Sequence, residues 1–100
     1  MTTNMYITNA TGGCIVTHHG GEFIIDSLIV FPNFRNKGNG TDILKYAEDT
    51  VAKLGGKCAF VMIENGFPWI HDWLKRMGYV DYDIDNYPHE EFFIKMTKEL

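Results

Sequence analysis

Short apolar runs separated by glycine pairs organise the first third of the chain. Gly12-Gly13 and Gly20-Gly21 are the first breaks, and Gly55-Gly56 is a later one; paired glycines give the backbone the freedom that tight turns need. Between them, residues 4–8, 14–19 and 22–31 read as three strands. The intervening turns are of hairpin length, which predicts an antiparallel meander. The third run stops at Pro32, which has no N–H to give to a ladder. A loop follows to Gly40. From Thr41 to Leu54, the residues Ile43, Leu44, Ala47, Val51 and Leu54 recur at helical spacing, and Gly55-Gly56 close the segment. Cys58 to Ile63 is a continuous apolar run of strand length, as in a central strand. A second helix is predicted from Pro68 to Met77, with proline in its first turn and Gly78 past its end. Strands over 79–84 and 91–97 complete the chain.

The predicted order is β-β-β-α-β-α-β-β, an α+β fold with two main helices on a mixed, mostly antiparallel sheet. A helix joins the third strand to the fourth, and such a crossover makes that pair parallel. The 100 residues form a single domain, 1–100, and 45% hydrophobic content supports one modest core without disulfides or a metal. Nine basic against thirteen acidic residues leave a net charge of −4, with no basic run. That balance argues against a grip on nucleic acid and favours a cationic substrate. Cys14 and Cys58 lie in apolar runs and read as buried free thiols rather than a disulfide framework. The four histidines show no metal-ligand spacing. No segment has the length of a membrane span or the pattern of a signal peptide. The sequons at Asn9 and Asn39 therefore read as chance, and the expected location is cytoplasmic.

The chemistry is expected in the loop Arg35-Asn36-Lys37-Gly38-Asn39-Gly40-Thr41, between a long strand and a helix. Gly38 and Gly40 allow a tight turn and close approach. The N–H groups of the loop and first helical turn converge on one space, where the helix dipole favours an anion. Arg35 and Lys37 add positive charge in an acidic protein, so a diphosphate is the natural occupant; the same residues taken alone also read as a plain strand-to-helix turn with solvated Arg and Lys. The spacing is neither a Walker loop nor a dinucleotide-binding fingerprint.

Leu28-Ile29-Val30-Phe31-Pro32 followed by Arg35-x-x-Gly38-x-Gly40 and an amphipathic helix resembles motif A of the GNAT N-acetyltransferase superfamily. Downstream, a β-run ends in Asn65, a short helix ends in Lys75-Arg76-Met77-Gly78-Tyr79, and the last strand reads Phe92-Phe93-Ile94-Lys95-Met96-Thr97-Lys98. The family shows the same features in the same order, so the resemblance covers residues 22–100.

The resemblance implies acetyl-CoA as co-substrate, its pantetheine arm lying between two parallel strands that splay apart. Carried over, Leu28, Ile29 and Val30 offer backbone groups to that arm and to the thioester oxygen. Residues Arg35 to Gly40 hold the pyrophosphate, Thr41 opens the helix, and Asn65 meets the arm or simply ends its strand. The implied reaction is direct attack of an amine on the thioester. The acceptor is a protein lysine, an N-terminus or a polyamine-like molecule. Asp26, which interrupts an apolar run two residues before Leu28, is the first choice of general base, with a raised pKa if poorly solvated. Glu22 is second, and His18 and His19 follow. Many members carry a tyrosine acid four residues before the glycine that ends the last helix. Here that position is Leu74, and His71, one turn earlier, is the substitute expectation, ahead of Tyr79.

A catalytically weak or inactive module that binds CoA or a protein partner is the alternative reading. Trp69, Trp73 and Leu74 read as core packing, and Asp81, Asp83 and Asp85 as the acidic solvent face of a strand rather than a calcium loop. Members of the family usually carry helices after their first strand, forming one wall of the acceptor site. Fewer than ten residues separate the first two predicted strands here. That predicts a pared-down acceptor half, a large acceptor such as a protein, or a wall supplied by a second subunit in a homodimer.

Overall fold

The computed structural model describes residues 2–64, 68–82 and 93–100. Its elements are β1 (Thr2–Asn9), β2 (Gly12–His19), β3 (Glu22–Val30), α1 (Asn39–Lys53), β4 (Cys58–Glu64), α2 (Pro68–Arg76), β5 (Val80–Asp81) and β6 (Phe93–Glu99), with a 3₁₀ turn at Pro32–Phe34. One six-stranded sheet runs β1-β2-β3-β4-β6-β5. The β3–β4 pair is parallel and the other pairs antiparallel, so the α+β class and element order read from the sequence hold.

Local chemistry sets the turns. The Asn9 side-chain oxygen accepts from the Thr11 N–H at 2.7 Å and the Gly12 N–H at 3.2 Å, closing the first hairpin. After α1 the chain doubles back tightly at Gly56, where an added Cβ would lie 2.9 Å from Phe23 Cδ2 and closer still to Val51. Only glycine fits that approach of helix end to strand.

Alternation along the strands fills one core. Val16, Phe23, Ile25, Ala59, Val61, Ile63 and Met96 are buried on one sheet face, against Ile43, Leu44, Ala47 and Val51 of α1 and Leu74 of α2. Each such side chain contributes about 1.5–3 kcal/mol on burial. Both helices lie on this face. Among the described residues no helix covers the other, where Ile24, Phe60 and Met62 are half-buried. There Lys95 bonds Glu22 at 2.9 Å and sits 4.7 Å from the Phe60 ring and 4.9 Å from the Tyr82 ring.

A polar cluster fastens the helix side. The Tyr79 hydroxyl donates to Glu48 Oε2 at 2.6 Å, and Lys98 Nζ lies 3.2 Å from the same oxygen. Tyr79 is buried, and burial followed by the Glu48 bond and charge pushes its phenol well above the ordinary range. This ties α1, the segment after α2, and β6 together.

Several boundaries and burials differ from expectation. Helix α1 starts at Asn39 rather than Thr41, because Gly38 takes the left-handed conformation (φ 82°) as its cap. Leu54 is its exposed C-cap rather than a core residue. Trp69, expected in the core, is 65% exposed; only Trp73 and Leu74 pack inward. Cys14 is buried and Cys58 half-buried, and both are free thiols. Strand β5 is described over Val80–Asp81, and the predicted positions Asp83 and Asp85 lie outside the described residues.

Candidate active site

The site begins with an irregularity in β3. Gly13 pairs with Ile29, but the next pair is Ile15 with Asp26, so β3 carries one residue more than β2 in that interval. The extra residue forms a bulge in which Ser27 adopts a positive φ of 52°. The Ser27 N–H is taken by its neighbour, donating to the Asp26 carboxylate at 2.7 Å. Strand β3 pairs with β4 only at Ile24–Phe60 and Ile25–Val61, although β3 continues to Val30 and β4 to Glu64. Past Ile25 the two strands part. The β3 backbone on that side then lacks a ladder partner, leaving a wedge where an amide-bearing chain can pair. Leu28 and Val30 are half-buried and Ile29 is exposed along it.

At the end of β3 the loop folds back on itself. Arg35 Nε donates to the Val30 carbonyl at 2.9 Å, Lys37 Nζ to the Asn33 carbonyl at 3.2 Å, and Asn39 Nδ2 to the Phe34 carbonyl at 2.8 Å. Asn36 (φ 61°) and Gly38 (φ 82°) turn the chain into α1. The first intrahelical bond runs from the Asp42 N–H to the Gly38 carbonyl at 3.2 Å, and no side chain caps the helix. The N–H groups of Asn39, Gly40 and Thr41 precede that bond. They form the positive end of the helix dipole, with Arg35 and Lys37 in the adjoining turn. A Cβ on Gly40 would lie 3.5 Å from Val30 Cγ2 and 3.9 Å from Trp73 Cζ2. The end of β3, the start of α1 and the middle of α2 thus converge. This cradle suits a phosphate group, and the wedge beside it suits an extended amide chain.

Of the residues singled out in the sequence, Asp26, Leu28 to Val30 and Arg35 to Thr41 lie on this one stretch of strand, turn and helix start. Asp26 is exposed at the bulge rather than enclosed among apolar neighbours. Asn65 lies outside the described residues. His71 is held elsewhere: its Nε2 lies 2.6 Å from Asp81 Oδ1 on β5, the outermost strand. That is two strand positions from β4, roughly 10 Å at normal spacing, and the α2 residue beside Gly40 is Trp73 instead. Leu74 is 2% exposed and belongs to the core. Tyr79 is committed to Glu48. Glu22, His18 and His19 sit at the opposite end of β3, where Glu22 bonds Lys95 and His18 stacks on Phe23 at 4.1 Å. Burial pushes the Cys14 thiol up to about 11, which removes it as a nucleophile near neutral pH.

Sequence reasoning missed the Ser27 bulge and the place of Trp73. The interruption of an apolar run by Asp26-Ser27 was the available sign of the first. The second follows only from how α2 packs.

No protein-family model and no curated protein matches the sequence. Solved structures do. A PaiA N-acetyltransferase from Thermoplasma acidophilum in complex with coenzyme A is similar with a TM-score of 0.76 at 16% identity, over 90% of this chain and 54% of that one. An acetyltransferase from Bacillus cereus has a TM-score of 0.73 at 20% identity, over 100% of this chain and 74% of that one. A GNAT family acetyltransferase from Elizabethkingia anophelis with acetyl-CoA bound has a TM-score of 0.67 at 16% identity, over 99% of this chain and 98% of that one. The chain thus spans from about half to nearly all of the length of these proteins. Its element order, its sheet topology with the β3–β4 wedge, and these similarities together establish that the chain has the GNAT-superfamily fold.

Proposed function

We propose that the chain is an acetyl-CoA-dependent N-acetyltransferase that passes the acetyl group directly to an amine. The observation that carries this is the parting of β3 from β4 after Ile25–Val61, with a turn beyond the end of the same strand that leads into a helix start no side chain caps. Structures of the same fold hold coenzyme A or acetyl-CoA, and the two halves of the site suit the two halves of that molecule. The Asn39, Gly40 and Thr41 N–H groups, with Arg35 and Lys37, receive the pyrophosphate. Along Leu28, Ile29 and Val30, the backbone groups held neither by β2 nor by Arg35, which bonds the Val30 carbonyl, receive the pantetheine amides. An N–H of the same stretch receives the thioester oxygen as negative charge develops on it.

Asp26 is the base in this reading. The acceptor amine, protonated in water with a pKa near ~10.4, gives its proton to the Asp26 carboxylate, directly or through water. The neutral nitrogen then attacks the carbonyl carbon, the C–N bond forms, and the C–S bond breaks. As the nitrogen becomes an amide it loses a second proton, which passes through solvent to the departing CoA thiolate. His71, held at the sheet edge, has no part in this step. The net charge of −4 favours a cationic acceptor such as a protein lysine, an N-terminus or a polyamine-like molecule.

The burial of Leu74 where many members of the family carry a tyrosine acid favours a second reading, a module that binds CoA or a protein partner with weak or no turnover. Calorimetric titration with acetyl-CoA, followed by CoA release assayed over a panel of amines and cationic peptides, separates the two. Binding with release on at least one acceptor is the expected result. Binding without release on any supports the module, and failure to bind removes the transferase and leaves only a module for a protein partner.

A further inference from the structure

The two outer edges of the sheet are built differently. On one side, β5 comprises Val80 and Asp81 among the described residues, and the following Tyr82 N–H donates to the Lys95 carbonyl at 2.8 Å. A short, charged edge is a poor template for another strand. On the other side, β1 is eight residues long and reads Thr-Thr-Asn-Met-Tyr-Ile-Thr-Asn, with no charged residue, proline or glycine. Its inner edge pairs with β2 along the whole length, from Thr2–His19 to Asn9–Gly12. Its outer edge faces no strand among the described residues, so its outward N–H and C=O groups form an open ladder. Tyr6 is 72% exposed on it. Met5 and Ile7 line a groove of about 590 Å³ against α1, overhung by the exposed Tyr46.

We propose that β1 pairs antiparallel with β1 of a second copy of this chain, joining the two sheets about a two-fold axis through Tyr6. The register follows from symmetry. A two-fold axis normal to the sheet returns each residue to its own face, so opposed residues must share parity. Centring on Tyr6 sets Tyr6 against its own copy on one face. It sets Met5 against the second copy's Ile7 on the other, and Asn4 against Thr8. Centring on Met5 would instead oppose Ile7 to Thr3 and Tyr6 to Asn4, setting apolar groups against polar ones. Aromatic and apolar cross-strand pairs are the stabilising kind, and like charges facing each other are not. Self-pairing is the arrangement most exposed to like-charge repulsion, and β1 has no charge to repel. By the same token it offers nothing to complement a charged partner. A standard interface buries about 800 Å² per partner, so Tyr46 and the groove beside β1 are enclosed together with the strand. The net charge of −4 on each copy opposes association at long range, and salt screens it, so the dimer tightens as salt rises.

The test is the mass of the whole chain by sedimentation or light scattering across a concentration series. The expected result is a concentration-dependent dimer that Tyr6→Lys converts to monomer with its circular dichroism retained. Val80→Lys, on the opposite edge, leaves the dimer intact. A Tyr6→Cys variant in a Cys58→Ser background cross-links under oxidation, since directly opposed strand residues have Cα atoms about 4.5–5.5 Å apart. A monomer at every concentration, a dimer that survives Tyr6→Lys, or absence of the Tyr6→Cys cross-link overturns the proposal.

Discussion

Strand β3 is two different objects joined at Asp26. From Glu22 to Ile25 it is ordinary sheet: Phe23 and Ile25 are buried, and Ile24 and Ile25 pair with both neighbouring strands. From Asp26 to Val30 it is half-buried or exposed, bulged at Ser27, and parted from β4. The first half spends its hydrogen bonds and apolar surface on stability. The second leaves backbone groups unmatched and ends at a helix start with free N–H groups. One inserted residue in a ladder separates the two, so a strand can serve as core at one end and as binding edge at the other. Changes in the two halves should therefore have separable effects, on stability in one and on ligand and turnover in the other.

The largest effect is expected in the open half. Asp26→Asn should lower turnover by about 10²–10⁴-fold near neutral pH, the usual range for a lost general base, with acetyl-CoA affinity retained. A pH–rate profile checks it. An unchanged profile would move the base role to water or another group.

In the closed half, Ile25→Ala should cost about 2–5 kcal/mol in denaturant unfolding, because Ile25 is 1% exposed between α1 and the sheet. Acetyl-CoA should still bind while the chain is folded. Loss of binding at full folding would mean that the two halves are not separable.

A smaller effect comes from two glycines with the same backbone demand. Gly38 (φ 82°) opens the anion turn and Gly20 (φ 59°) lies in the β2–β3 turn. Valine at either should cost about 1–2 kcal/mol in stability. Only Gly38→Val should also weaken acetyl-CoA binding by titration, since only that turn is the proposed seat of the pyrophosphate. Equal binding by both variants would detach the loop from the cofactor.

A further effect, confined to alkaline pH, is a pH slope from the closed half. The Cys14 thiol is raised from 9.0 to about 11 by burial, so the native chain holds a proton that the unfolded chain releases. Its contribution is whole below pH 9 and falls between pH 9 and 11, at up to about 1.4 kcal/mol per pH unit. Unfolding midpoints over that window should fall less steeply for Cys14→Ala than for the unmodified chain.

Much of this comparison was legible in the sequence, and the rest was not for physical reasons. Glycine pairs and the spacing of Ile43, Leu44, Ala47 and Val51 mark the elements, because turns and amphipathic faces are local properties. The helix between β3 and β4 makes their parallel pairing legible too. The Tyr79–Glu48–Lys98 cluster joins residues 31 and 50 positions apart, and no local pattern carries such a contact. The Ser27 bulge depends on its register with Gly13 and Ile15 across a strand pair. Trp69 and Trp73 sit at helical spacing with equal apolar character, and only the docking of α2 decides that one is exposed and the other packed. The loop from Arg35 to Thr41 was visible because its chemistry is contiguous. His71 illustrates the converse: one turn along a helix was enough to direct it to Asp81 and the sheet edge.

The central claim is that one cofactor occupies both the wedge of β3 and the start of α1. Hydrogen–deuterium exchange with and without acetyl-CoA tests it most directly. Slowed exchange is expected, confined to amides of Leu28 to Val30 and of Arg35 to Thr41, with Phe23 to Ile25 unchanged. Protection absent from both segments, or centred elsewhere on the sheet, would contradict it.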